Sequence, residues 1–285
     1  MQQTNRSRHR HMTSFQVISL GFLSVILLGS LLLMLPIATK SGQCTSFLDA
    51  LFTSTSAVCV TGLVINDTAT YWSLFGQGII LLLIQIGGMG IITIAIAIAV
   101  ISGRKIGLMQ RSTMQEATSA PTVGGIVRRT QFIIRITILI EIIGAALLAP
   151  VFCRDFGFWK GIWYSLFHSI SAFCNAGFDL IGIRTPFSSL TSYSVQPIVN
   201  LVIMALIVAG GIGFLTWEDI KIHKWHFKKY RMQSKVIFMV TGLLIFLPAL
   251  YFFCFEFSNV PLTERVWVSL FQSVTPRTAG FNTAD

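Results

Sequence analysis

Ala50-Leu-Phe-Thr-Ser-Thr-Ser-Ala-Val-Cys-Val-Thr-Gly62-Leu returns, altered, as Ser165-Leu-Phe-His-Ser-Ile-Ser-Ala-Phe-Cys-Asn-Ala-Gly177-Phe, and again as Ser269-Leu-Phe-Gln-Ser-Val-Thr-Pro-Arg-Thr-Ala-Gly280-Phe. Each copy runs from a small residue through Leu-Phe and a Ser/Thr-rich half to a glycine followed by an apolar residue. The third is one residue shorter between Phe and Gly, and the glycines lie 115 and 103 residues apart. The surrounding segments, 45–62, 161–178 and 262–280, are moderately apolar but rich in Ser, Thr, Asn, Gly and Cys, and on composition fit either a span or a segment that dips in and returns. A second echo, Ile86-Gly-Gly-Met-Gly90 against Ala209-Gly-Gly-Ile-Gly213, belongs to the apolar runs that follow the first two copies.

Outward from these segments the chain is apolar. Of its 285 residues 53% are hydrophobic and 11% are charged, with a net charge of +10. Soluble domains carry about 25% charged residues, so a water-soluble globule and a disordered chain are both excluded. The five cysteines are too sparse for a disulfide scaffold. Five stretches, at 14–35, 74–100, 132–152, 195–216 and 236–255, are long and apolar enough to cross a bilayer. The basic residues cluster between them and form no continuous stripe, which argues against nucleic-acid binding.

Charge placement decides whether the three repeated segments cross or turn back. If they turn back, Arg6, Arg8, Arg10, Arg104, Lys105, Arg111, Arg128, Arg129 and the six basic residues of 217–235 share one side. That side holds 14 Lys/Arg against six on the other. The positive-inside rule then puts the N-terminus in the cytoplasm. The expected fold is an all-α polytopic membrane protein of repeated span, re-entrant helix and loop, span units, with a period of about 110 residues. Its parts are a basic N-terminus (1–13), a first pore unit (14–101), a cytosolic linker (102–130), a second unit (131–216), a second linker (217–234) and an incomplete third unit (235–285).

Irregular backbone at membrane depth must be buried in protein or line a watery cavity. A short re-entrant helix aims the negative end of its dipole into the membrane, and the returning loop offers a column of carbonyls that replaces an ion's hydration water. Glycine at 62, 177 and 280 permits the backbone bend without blocking the path. The neighbouring Ser and Thr hydroxyls are placed to hold the loops.

Ser56-Ala-Val-Cys-Val-Thr-Gly62-Leu, Ser171-Ala-Phe-Cys-Asn-Ala-Gly177-Phe-Asp, Ser273-Val-Thr-Pro-Arg-Thr-Ala-Gly280-Phe-Asn-Thr and Gln85-Ile-Gly-Gly-Met-Gly90 resemble the Trk/Ktr/HKT superfamily of potassium transporters, most closely the bacterial KtrB/TrkH type of membrane subunit. The resemblance covers essentially the whole chain beyond the first dozen residues. It implies potassium uptake across the inner (plasma) membrane, with sodium as a second candidate ion, through one selectivity filter built from four pseudo-symmetric units. The matching filter positions are Val60, Thr61, Gly62, Asn175, Ala176, Gly177, Thr278, Ala279 and Gly280. A glycine at the first position, where a plant branch with sodium preference has serine, places Gly62 on the potassium side. The resemblance further implies a homodimer and a cytosolic nucleotide-binding ring made by a regulatory partner of KtrA/TrkA type. Four units would need roughly 440 residues. The sequence therefore reads as an N-terminal portion, lacking the closing span of the third unit and the whole fourth unit. On that reading residues 1–285 alone neither conduct selectively nor fold stably.

Asp67, Asp179 and Asp285 follow the loop glycines and are expected at the outer mouth, either concentrating cations or simply solvated. Arg277, inside the third loop, is expected to point backwards as a loop anchor. The pairs Gly87/Gly88 and Gly210/Gly211 suit close helix approach. Glu141 is an acid inside a span, read either as paired with a basic group of another helix or as a proton or ion site. His168, Cys59 and Cys174 read as packing residues, with no second ligand at metal spacing. Lys221, Lys224, Lys228, Lys229 and Arg231, with Trp225 and Phe227, form a basic aromatic stretch suited to anionic headgroups or to a docking partner. No phosphate-binding loop, cofactor motif or catalytic constellation is legible, which argues against an enzyme. A secondary transporter with broken helices, or a non-conducting membrane subunit, remains the alternative. The parallel sense of the repeats weighs against an inverted-repeat transporter.

Overall fold

A computed structural model describes residues 13–91, 93–94, 115, 125–183 and 185–284. Its longer helices are α1 (Ser14–Leu33), α2 (Phe47–Val58), α3 (Leu74–Met89), α4 (Ile126–Phe156), α5 (Phe158–Phe173), α6 (Pro197–Gly211), α7 (Phe214–His223), α8 (Met232–Tyr251) and α9 (Leu262–Val274). Among the described residues the only β pairing is an isolated bridge, Thr39 to Trp72. Most of the 102–130 linker and Asp285 lie outside the described residues.

Local signals set the ends. Thr13 and Gln16 form a reciprocal capping box that opens α1. Ser46 caps α2 by accepting from the Asp49 amide, and Ser73 caps α3 by accepting from Gly76. Pro197 occupies the first turn of α6, where no amide partner is needed. Among the described residues three helices are long and apolar enough to cross a bilayer: Phe15–Leu33, Val127–Phe156 and the continuous run Met232–Glu256. Leu28 and Leu31 on α1, and Met239 and Phe246 on α8, remain more than half exposed, as lipid-facing side chains are.

Two expected spans are broken. α3 stops at Met89, and Gly90 caps it at φ 80°. α6 stops at Gly211, and Gly213 at φ 79° turns the chain so that α7 leaves at 95° to α6. Both glycines hold the same place in the echoed motif. A positive φ is easy for glycine and ends a helix regardless of the apolar residues beyond it.

The segment between α1 and α3 enters and leaves at one level. Lys40 donates its amide to the Tyr71 carbonyl at 2.9 Å, and Ser73 donates to that of Ala38, also at 2.9 Å. Helix α2, only 12 residues long, therefore dips inward and its loop returns to where it began. In the second unit the Tyr193 hydroxyl, on the return path, donates to Asp155 at the end of α4 at 2.8 Å.

Each dipping helix is hung from the preceding long helix by one hydroxyl. Ser54 donates to the Ile26 carbonyl at 2.8 Å, Ser169 to Glu141 at 2.7 Å and Ser273 to Ile245 at 2.5 Å. Gly29 and Gly144 give those serines room, because a Cβ at either would stand well inside van der Waals contact of the hydroxyl, 2.5 Å from Ser54 Oγ in the case of Gly29. The core behind the loops is aromatic and fully buried: Trp72, Phe152, Phe167, Phe178, Phe271 and Phe281. At the other end, Glu218 of α7 pairs with Arg129 at 2.9 Å and Arg231 at 3.0 Å. The buried Asp219 holds the Arg231 amide at 3.0 Å and the Ser234 hydroxyl at 2.6 Å.

Candidate functional site

Helices α2, α5 and α9 end at Val58, Phe173 and Val274, and each hands over to its glycine loop. The loops are closed by one repeated latch. Ser56 donates to the Leu63 carbonyl, Ser171 to Phe178, each at 2.7 Å, and Thr275 to Phe281 at 2.5 Å. In each case the acceptor is the residue after the glycine. The first two loops also share their backbone path. Val60 and Asn175 take the left-handed conformation at φ 57° and 58°, and Gly62 and Gly177 follow at 77° and 71°. The amides of Thr61 and Ala176 turn back to the carbonyls of Ser56 and Ser171 at 2.9 and 2.7 Å.

The shorter third loop reaches the same end differently. A tight helical turn, Thr275–Arg277, replaces the left-handed residue, and Thr278 is extended at φ −165° before Gly280 at 77°.

The loops meet side by side. A Cβ added at Gly62 would stand 2.6 Å from the Ala176 carbonyl oxygen, and one at Gly177 would run into the Ala279 carbonyl oxygen. Thr278 Oγ1 donates to Asn175 Oδ1 at 3.0 Å across the second contact. Seven of the nine expected filter positions, Gly62, Asn175, Ala176, Gly177, Thr278, Ala279 and Gly280, take part in contacts between loops, while Val60 and Thr61 shape their own loop. From beneath, Gly87 lies against the Val58 carbonyl and Gly210 against that of Phe173, so the α3 and α6 glycines support the ends of the dipping helices. Gly88 abuts the Cys174 side chain, whereas Gly211 has no neighbour within 4 Å and takes no part in close approach. Below them a cavity of about 620 Å³ opens at the two helix breaks, between Phe15, Phe22, Ile133 and Phe214.

The acids and the arginine are committed in particular ways. Asp67 is buried: Oδ1 accepts from the Thr70 amide and hydroxyl, each at 2.8 Å, and Oδ2 accepts from Phe187 of the second return path at 3.0 Å. Asp179 is half-buried and accepts from Ile181 at 3.0 Å. Burial pushes its carboxyl up to about 6, with the Asp67 charge adding to the effect. Arg277 reaches back from the third loop and donates to Thr241 of α8 at 3.2 Å. His168 is fully buried; Nδ1 contacts the Tyr164 carbonyl at 2.7 Å, and Nε2 accepts from Leu180 at 3.3 Å. With both nitrogens taken, it is a neutral packing group. Glu141 meets no basic group among the described residues. Both its oxygens accept from the Gln85 amide nitrogen, at 3.0 and 3.2 Å. That corrects the expectation of an ion pair: the partner is neutral and comes from the first unit. Among the described residues no group of His, Cys, Asp and Glu is arranged to hold a metal ion.

Sequence reading credited Ser/Thr hydroxyls with holding the loops but did not say which. The signal was there: Ser54-x-Ser56, Ser169-x-Ser171 and Ser273-x-Thr275 repeat a pair of hydroxyls two residues apart. The first hangs the helix and the second latches the loop.

Short helices that end at meeting glycine loops, inside a bundle with helices apolar enough to span a bilayer, define a helical membrane protein with irregular backbone packed at its centre. The family model described as TrkH, cation transport protein, matches residues 1–285, and the chain belongs to that family. It is 41% identical over 281 residues to the potassium/sodium uptake protein NtpJ of Enterococcus hirae, covering 97% of this chain and 61% of the relative. It is 42% identical over 276 residues to the Ktr system potassium uptake protein B of Bacillus subtilis, covering 95% and 60%. Its fold resembles the potassium transporter TrkH of Vibrio parahaemolyticus, with a TM-score of 0.65 at 21% identity over 99% of this chain and 54% of that one. The chain spans about three-fifths of the length of the curated relatives it matches.

Proposed function

We propose that this chain forms part of a potassium uptake path, in which the carbonyls of Val60, Thr61, Gly62, Asn175, Ala176, Gly177, Thr278, Ala279 and Gly280 take the place of the ion's hydration water. The observation that carries the reading is the contact of glycine on carbonyl between successive loops, Gly62 on Ala176 and Gly177 on Ala279. Such packing leaves the carbonyls as the polar groups nearest the path, and the C-terminal dipoles of α2, α5 and α9 add negative potential there. The relatives' names agree on potassium and, for one of them, add sodium. Asp179 and Asp67 serve the outer mouth, Asp179 by its charge and Asp67 by fixing the second return path. Arg277 anchors the third loop.

The reading extends to assembly and place. The N-terminus lies in the cytoplasm of a cell whose inner membrane holds the protein. The protein works as a homodimer on a cytosolic nucleotide-binding regulatory ring. No cofactor is needed in the membrane subunit. The test is rubidium uptake in cells lacking their own potassium uptake systems, with the complete protein and with Gly177→Ala. Uptake that sodium competes for poorly in the parent and well in the variant supports the filter. Equal competition in both overturns it.

A further inference from the structure

Glu141 occupies a position that the other two units fill with isoleucine. The Ser54, Ser169 and Ser273 hydroxyls find their acceptors on Ile26, Glu141 and Ile245, so the three residues are equivalent in the fold, and an acid is not required there to build it. The Glu141 side chain is nonetheless buried, at 5% exposure, in the middle of a 31-residue helix.

Among the described residues its surroundings contain no compensating charge. Helices α3 and α6 carry no ionisable residue. On α5 the ionisable groups are Lys160 near its outer start, Tyr164, and His168, whose ring nitrogens are both engaged. The Cys174 thiol at the end of α5 is close enough to feel the acid, and it is buried. On α4 itself Arg135 lies six residues away and off the helical face of Glu141. An ionised carboxylate would therefore stand at membrane depth against one amide nitrogen, an expensive arrangement.

Two neighbouring atoms point to the alternative. Gln85 Oε1 is buried without a partner, and so is the hydroxyl oxygen of Thr137, one helical turn from Glu141 on the same helix. Thr137 is fully buried. A proton on Glu141 supplies the donor this cluster lacks. With the Gln85 amide turned over, Oε1 stands where Nε2 now lies, 3.0 and 3.2 Å from the two carboxyl oxygens, and accepts the acid's proton.

We propose that Glu141 is a proton-binding site inside the membrane: it holds its proton as a neutral carboxylic acid paired with Gln85, and so fastens α4 to α3 behind the first two loops. Gln85 lies two residues before Gly87, which supports the Val58 carbonyl, and the Glu141 carbonyl carries Ser169. The proton thus sits between the supports of two loops. This inference does not depend on which ion the loops conduct.

The test is infrared spectroscopy of the complete protein in lipid nanodiscs. A protonated-carboxyl stretch should be present in the parent at neutral pH and missing from Glu141→Gln. Glu141→Ile, the residue of the equivalent positions, serves as a second variant should the first fail to fold. Thermal unfolding gives an independent readout. A folded state that keeps a proton which the unfolded chain releases at about pH 4.3 loses stability as pH rises. Between about pH 6 and about pH 9 the parent's melting temperature should fall by about 2–4 °C more than that of either variant. Absence of the band, or parallel melting curves, overturns the proposal. So does a melting temperature that rises when sodium replaces choline in the parent alone, since that would make Glu141 a cation ligand.

Discussion

The backbone of Gly62 and the carbonyl of Ala176 touch with no room for a single added carbon: a Cβ on the glycine would lie 2.6 Å from the oxygen. Gly62 is also held at φ 77°, where a side chain strains the backbone. Gly62→Ser therefore meets two separate penalties. Strain of about 1–2 kcal/mol accompanies a displaced Ala176 carbonyl. The expected outcome is stable, membrane-inserted protein whose preference for potassium over sodium falls, measured by competition of the two ions in rubidium uptake. Unchanged preference would show that the Ala176 oxygen does not coordinate the ion.

Removing the second-loop latch should matter more than its size suggests. Ser171→Ala takes the only donor to the Phe178 carbonyl among the described residues, in a fully buried place. A loss of about 1–3 kcal/mol is expected. Ser171→Thr should be tolerated, because Thr275 makes the same bond in the third loop. Denaturation followed by intrinsic fluorescence compares the pair; equal melting of Ser171→Ala and parent would show the latch to be idle.

At the opposite end, Asp219→Ala leaves the Ser234 hydroxyl and the Arg231 amide without their acceptor, and the aspartate is 1% exposed. Breaking a buried charged cluster from one side costs about 3–5 kcal/mol. The variant should show lower yield and a lowered melting temperature, with ion preference intact in what folds. A change of preference without loss of stability would contradict a purely structural role.

Orientation has its own check. Thr185 and Lys224 are both exposed, on the second return path and after α7 respectively. In a cysteine-free background, since Cys44, Cys59 and Cys254 are exposed thiols, Thr185→Cys should react with a membrane-impermeant reagent added outside and Lys224→Cys should not. The reverse pattern would invert the topology that 14 against six basic residues implies.

Much of this protein is legible before any coordinates because its units repeat: Ser56 and Ser171 could be compared by eye, and so could Gly62 and Gly177. Hydropathy also found the long helices, since a bilayer imposes length and apolarity directly. It missed the breaks at Gly90 and Gly213 because counting charge-free residues ignores φ. The glycine that ends each echoed motif was the available sign. The partner of Glu141 escaped for a different reason. Gln85 is 56 residues away in another unit, and no spacing on one helix announces a contact between two. The same holds for Glu218, whose two arginines come from either side of it in the chain. In the basic aromatic stretch, Trp225 is 98% exposed and Lys224 is exposed, but Arg231 is spent on Glu218 and Asp219.

The third loop has lost a residue yet keeps its latch, because Thr275 still reaches the carbonyl after the glycine while a tight turn absorbs the deletion. Duplicated units are thus free to drift apart so long as the hydroxyl and its acceptor survive. The third loop already presents Thr278 at φ −165° where its siblings present left-handed Val60 and Asn175. On the proposed ion path these three loops would form lopsided walls rather than rotationally symmetric ones. Inherited change in a single copy can therefore retune one wall without touching the others, which a pore assembled from identical separate chains cannot do.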